Sequence, residues 1–173
     1  QLSELAMHMK NLEIFFSLYI PSLTDMQKAV LKKCLVELYQ KFHITWDTDV
    51  TKLKAQDFPI FSDLYALVQE KTKTEKENQV YTDLVMLLYD IAEGADSFIW
   101  NGHTTVSGNS RFTVMDTHAL QETGDNIKRT QYFNILTYDW EQMSHDREER
   151  VLLICDEAYL MIDRSVPQSL VYL

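Results

Sequence analysis

Apolar residues in the first part of the chain recur at helical spacing. Leu2, Leu5, Met9, Leu12, Phe16 and Tyr19 follow one another in steps of three and four, which places them on one face of a helix. Pro21 ends that helix. Ser22, with Asp25 three residues on, has the pattern of a capping box that opens a second one. The second helix carries Leu23, Met26, Val30, Cys34, Leu38 and Phe42. The short connection predicts an antiparallel hairpin over residues 2–20 and 22–42, with Leu5, Met9, Leu12 and Phe16 against Val30, Cys34 and Leu38. Residues 43–61 have no period and read as a connector. Ser62 is placed to cap a third helix bearing Leu64, Leu67 and Val68. The charged run "EKTKTEKENQ" is a solvated turn, within which Thr74 and Glu77 again have capping-box spacing. Val80, Leu84, Leu87, Leu88 and Ile91 mark a fourth helix that ends near Gly94.

The pattern then changes. Asn101-Gly102 lies between short β-favouring runs and signals a hairpin, because both residues tolerate positive φ. Residues 112–115 read as a short strand ending in Asp116. Asp125 is placed to cap a helix with Ile127, Phe133, Leu136, Trp140 and Met143. After the polar loop "SHDREER", residues 151–155 form a continuous apolar run, the pattern of a fully buried parallel strand. Asp156 and Glu157 follow, and 158–162 can start another helix. Two strands joined by a helix make a parallel βαβ unit with a right-handed crossover. The expected fold is therefore mainly α with a small α/β part: an all-helical subdomain over residues 1–96, then a partial parallel βαβ region over 97–173.

Composition narrows the function classes. The 173 residues are 46% hydrophobic and 24% charged, ordinary for a globular protein. Lys plus Arg number 16 against 26 Asp plus Glu, a net charge of −10. That balance argues against strong nucleic-acid or anionic-membrane binding by this piece alone, since both depend on Lys and Arg; a local basic patch stays open, though no dense Lys/Arg run appears. Cys34 and Cys155 stand in apolar surroundings outside any C-x-x-C pair, so both are expected in the core of a protein from a reducing compartment. No apolar run approaches the roughly 20 residues that span a bilayer, and no signal peptide is visible. The chain starts with Gln, so the native N-terminus is expected to lie upstream.

The side-by-side carboxylates of "VLLICDEAYLMID" carry the most chemistry. Two readings are open. They are a solvated strand end, or they hold a metal ion and activate a water. Ligands of open parallel sheets bind beyond the C-terminal ends of the strands. An Asp at that position in P-loop NTPases holds Mg²⁺ directly or through water. A following Glu within hydrogen-bond reach can accept a proton from the attacking water. Asp116 ends the other expected strand, so parallel pairing would put it at the same sheet edge as Asp156.

These residues resemble a known family. "VLLICDEAYLMID" is similar to the Walker B segment of the TraC-like conjugative-transfer ATPases of type IV secretion systems. "FTVMDTHAL" resembles the upstream strand of that family, "FIWNGHTTV" its "FNG-x-T" turn, and "FPIFSDLYALV" its proline–Ser-Asp-Leu helix start. The resemblance covers about residues 58–173, and the first 57 match in helical character alone. It implies a RecA-like P-loop motor with a helical subdomain inserted between the phosphate loop and Walker B. It also implies a water-mediated Mg²⁺ contact and cofactor-binding role for Asp156, and a catalytic role for Glu157 in polarising the lytic water. ATP and Mg²⁺ are the implied cofactors of the intact protein. Other subunits of the secretion or conjugation apparatus are the implied partners, with a homo-oligomeric ring at the cytoplasmic side of the bacterial inner membrane. One departure matters. No G-x-x-x-x-G-K-[ST] is present, since none of Gly94, Gly102, Gly108 and Gly124 precedes a lysine. The chain is therefore expected to be a fragment that binds ATP weakly and hydrolyses none by itself.

The remaining candidates carry less. His8, His43, His103, His118 and His145 have no neighbourhood with zinc-ligand spacing, although Asp116 and His118 could share a strand face. No G-x-S-x-G elbow exists. Phe15, Phe16, Tyr19, Trp46 and Phe61 are expected in the core, and Arg147 and Arg150 in a solvated loop. A DNA-pumping RecA-like translocase is disfavoured by the acidic charge. A helical adaptor whose Asp-Glu pair is structural is the alternative from another class.

Overall fold

The computed structural model describes residues 3–76, 78–106, 110–145 and 150–156. They divide into two compact units. One comprises Gln1–Glu13 with Ser22–Val106, the other Ile14–Pro21 with Ser107–Leu173. Helix α1 (Glu4–Tyr19) contributes its start to the first and its end to the second.

The first unit is helical. Helices α2 (Asp25–Lys41), α3 (Phe61–Thr74) and α4 (Gln79–Ala92) pack on one another, with a single helical turn α5 (Ser97–Trp100) against α4. The core holds Leu64, Leu67 and Val68 of α3 with Tyr81, Leu84, Leu88 and Ile91 of α4, in the steps of three and four that one helix face requires. The start of α1 runs beside α2. His8 meets Tyr39, and Glu13 meets Lys32, an order that runs the two helices antiparallel. The buried face of α2 differs from the expected stripe: it is Leu31, Cys34, Leu35, Leu38 and Tyr39, while Met26 is 63% exposed. A stripe at strict steps of four drifts around a helix of 3.6 residues per turn, so a face lined by steps of three and four wins.

Local signals were satisfied by neighbours of the expected residues. The α2 cap is Thr24, not Ser22. Its hydroxyl accepts from Gln27 N–H at 3.2 Å, and the Gln27 side chain accepts from Thr24 N–H at 3.0 Å. At α4 the cap is Asn78, whose Oδ1 accepts from Val80 N–H at 3.2 Å. Thr74 instead donates its hydroxyl within the last turn of α3, and Glu77 lies outside the described residues. The end of α2 is tightly specified: the N–H of His43 reaches Gln40 O at 2.9 Å and that of Ile44 reaches Tyr39 O at 2.9 Å. That pairing requires a left-handed residue between them, and His43 takes it with φ 61° while Ile44 is buried behind it. Gly94 ends α4 as expected, and a side chain there would come within 2.7 Å of the Asp90 backbone.

Asn101-Gly102 does not turn a hairpin. Residues Ser97–Trp100 wind as a helical turn, and Asn101 closes it with its N–H on Ser97 O at 2.9 Å. Its side chain then joins two helix ends. Oδ1 accepts from the Ser62 N–H (2.9 Å) and hydroxyl (3.0 Å), and Nδ2 donates to Ala92 O at 2.9 Å. Helix ends leave unpaired N–H and C=O groups, and an amide side chain offers one of each. Ser62 is therefore tied to Asn101, while the Asp63 carboxylate takes the Ile60 N–H at 2.8 Å.

In the second unit, α6 (Asp125–His145) buries Thr130, Tyr132, Phe133 and Leu136. Asn126 Nδ2 donates to Tyr19 O at 2.9 Å, satisfying a carbonyl at the end of α1. Phe15 and Phe16 stack edge to face at 5.4 Å. Both are buried, as is Tyr19, whereas Trp46 is 46% exposed and Phe61 half-buried. No strand forms among the described residues. The expected parallel pair, 112–115 and 151–155, has neither ladder nor helix. Nor is 151–155 buried: Leu152 is 82% and Ile154 79% exposed, and Phe112 is 81% exposed. A strand is stable only when a neighbour takes its N–H and C=O groups and a second layer covers its apolar face. Neither run has such a neighbour among the described residues. Cys34 is buried as expected, its thiol pushed up to about 11 chiefly by burial, but Cys155 is only half-buried.

Candidate functional site

The apolar run 151–155 delivers Asp156 into a turn where its carboxylate is exposed. Glu157, the expected catalytic residue, lies outside the described residues, as does Arg147. Arg150 is exposed. Asp116 is also exposed, but its carboxylate is already used: Oδ1 accepts from the His118 N–H at 2.8 Å and sets the entry to a 3₁₀ turn, His118–Glu122. That contact is local, the Asx turn that a short carboxylate makes with the backbone two residues on. Asp116 and His118 are thus brought together as a turn and not as ligands on one strand face.

Helix α6 supplies the other carboxylates of this unit. Burial raises the Asp139 and Glu141 carboxyls above their ordinary range. Burial also raises the Cys155 thiol, and the Asp139 charge adds to it, so α6 and the residue preceding Asp156 act on one another electrostatically. Periodicity alone did not mark Asp139, a charged residue between Tyr138 and Trp140, as a partly buried group.

Among the described residues no three His, Cys, Asp or Glu side chains gather as a metal cage. At the end of the 151–155 run the donor among the described residues is one exposed carboxylate, Asp156. Mg²⁺ is commonly held by one or two carboxylates, retained waters and the substrate's own phosphate oxygens. An exposed Asp fits that way of holding the ion and does not fit a zinc or calcium cage. No helix among the described residues is long and apolar enough to cross a membrane.

No family model and no curated protein matches the sequence. Among solved structures, that of VirB4 of Thermoanaerobacter pseudethanolicus is similar, with 42% identity and a TM-score of 0.91 over 99% of this chain. The chain spans 63% of the length of that VirB4. Identity at this level over nearly the whole chain is a likeness of sequence as well as of fold. It supports the type IV secretion ATPase family that the Walker B-like segment resembles, and it extends the likeness to the helical first half.

Proposed function

We propose that this chain is part of the cytoplasmic ATPase that powers type IV secretion or conjugative transfer. One observation carries the reading: the chain is 42% identical to a VirB4 over 99% of its length. The sequence "VLLICDEAYLMID" adds the chemistry, an apolar run that delivers an Asp-Glu pair. In this reading Asp156 would hold Mg²⁺ through water, and Glu157 would accept a proton from the attacking water. Bound Mg²⁺-ATP would supply the phosphoryl group, and these two residues would position the ion and activate the water. The exposed apolar runs at 112–115 and 151–155 fit the same account. In the intact motor they would lie as parallel strands of a RecA-like sheet, completed and covered by the remainder of the longer protein. The phosphate-binding loop, absent from this sequence, belongs to that remainder. We place the assembly at the inner face of the bacterial inner membrane, as a homo-oligomer that works with other subunits of the apparatus.

The test compares two preparations under saturating Mg²⁺-ATP. The intact protein should hydrolyse ATP, and this chain by itself should neither hydrolyse it nor bind it tightly by calorimetry. Stoichiometric tight binding by this chain alone would overturn the reading, because it would require a phosphate site of another kind.

A further inference from the structure

A cavity of about 400 Å³ opens within the helical unit, far in kind from the carboxylate segment. Its walls come from α1, α2, the start of α3 and the segment after α5, and they include Leu35, Ala55, Phe58 and Trp100. Volume and lining fall in the class of small-molecule pockets: a few hundred cubic ångströms, mostly apolar, with a few placed polar groups.

The polar groups are specific. His8 Nε2 and the Tyr39 hydroxyl meet at 2.6 Å on the cavity wall. The His8 ring also lies edge-on to Phe58, with centroids 6.5 Å apart. Whichever of the two donates, the other imidazole nitrogen, Nδ1, is left with one hydrogen-bonding capacity. Among the described residues no Lys, Arg, Asp or Glu lines the cavity, whose other polar lining residues are His103 and Thr104. Burial depresses the His8 pKa, so the imidazole is neutral at pH 7. Burial likewise holds the Tyr39 phenol protonated. A phosphate or carboxylate would find no lysine or arginine among these lining residues, and an ammonium no carboxylate, so either would be desolvated at a cost. A purely aliphatic guest would leave the polar groups of the wall unmatched.

We propose that this cavity is a binding site for an uncharged aromatic molecule carrying one hydrogen-bonding group, its ring against Phe58 and Trp100 and its polar group at the His8–Tyr39 pair. The site is independent of the nucleotide chemistry and stands or falls separately from it.

The probe is 4-methylphenol, titrated into the whole chain and followed by ¹H–¹⁵N NMR, with 4-methylbenzoate as the charged counterpart. The phenol should bind saturably with a Kd of about 0.1–1 mM, reasonable for so few atoms. The His8 Nδ1 resonance should move, together with the Trp100 indole. Ala55→Trp, which fills the cavity from its rim, should weaken binding by about tenfold or more while the helical circular dichroism is kept. The benzoate should bind at least about tenfold more weakly than the phenol. Non-saturable shifts, shifts that avoid His8 and Trp100, or equal affinity for the benzoate would each overturn the proposal. The mapping in the unmodified chain decides the matter even if Ala55→Trp fails to fold.

Discussion

Replacing Asn101 with alanine tests the idea that one amide holds two helix ends together. The side chain accepts twice from Ser62, at the start of α3, and donates once to Ala92 O, at the end of α4. Asn101, Ser62 and their surroundings are half-buried, so water can replace these bonds only in part. Each hydrogen bond contributes about 0.5–1.5 kcal/mol net, and a buried group left unpaired costs about 1–3 kcal/mol. Three bonds lost with partial rehydration should cost about 2–4 kcal/mol. With a urea m-value of about 1–3 kcal/mol/M, the midpoint should fall by about 1–2 M at unchanged m. Urea unfolding followed by far-ultraviolet circular dichroism reads this directly. Asn101→Asp keeps an acceptor for Ser62 but loses the donor to Ala92, so its midpoint should lie between the wild type and the alanine variant. A loss below about 0.5 kcal/mol for Asn101→Ala would refute the reasoning and reduce the residue to a solvated turn.

Two further predictions concern stability. His43 holds a left-handed conformation at the end of α2. That conformation costs a non-glycine residue roughly 1–2 kcal/mol, against which glycine's extra chain entropy is roughly 0.5–1 kcal/mol, so His43→Gly should stabilise by about 0.5–1 kcal/mol in the same urea assay. A destabilised variant would mean that the histidine side chain holds the turn. The His8 pKa is lowered from 6.5 by burial, so the unfolded chain takes up a proton that the folded chain refuses. Stability should therefore be complete above about pH 6.5 and fall as the pH drops below it. His8→Gln should flatten the urea midpoint between pH 7 and 5.5; an unchanged slope would show that His8 is not the group responsible.

What the sequence revealed and what it hid divide along physical lines. Periodic apolar stripes located α1 to α4 and α6, because burial of a helix face depends on spacing that is local and repeated. Caps were misplaced by two and by four residues, since Ser22 and Thr24, or Thr74 and Asn78, satisfy the same composition rule and only the backbone path chooses between them. Asn101-Gly102 was misread for a different reason. Its turn propensity is real, yet the helix ends of α3 and α4 offered its amide better partners, and these are 39 and 9 residues away in sequence. The runs at 112–115 and 151–155 have strand composition, but a strand is a property of a pair, and no partner stands beside either among the described residues. At the candidate site, Asp156 was legible from its place after an apolar run. The electrostatic link of Asp139 to Cys155 is tertiary and left no pattern, whereas the Asx turn of Asp116 is local.

The central claim is that the Asp-Glu pair serves ATP hydrolysis in a longer secretion motor. Its most direct test is Glu157→Gln in the intact protein, measured as ATP turnover and nucleotide affinity on the same folded sample. The account predicts that turnover falls by about 10²-fold or more, as loss of a general base requires, while Mg²⁺-ATP affinity and the helical circular dichroism are retained. Turnover equal to that of the unmodified protein would contradict it and return Asp156 and Glu157 to the surface of a structural helical domain.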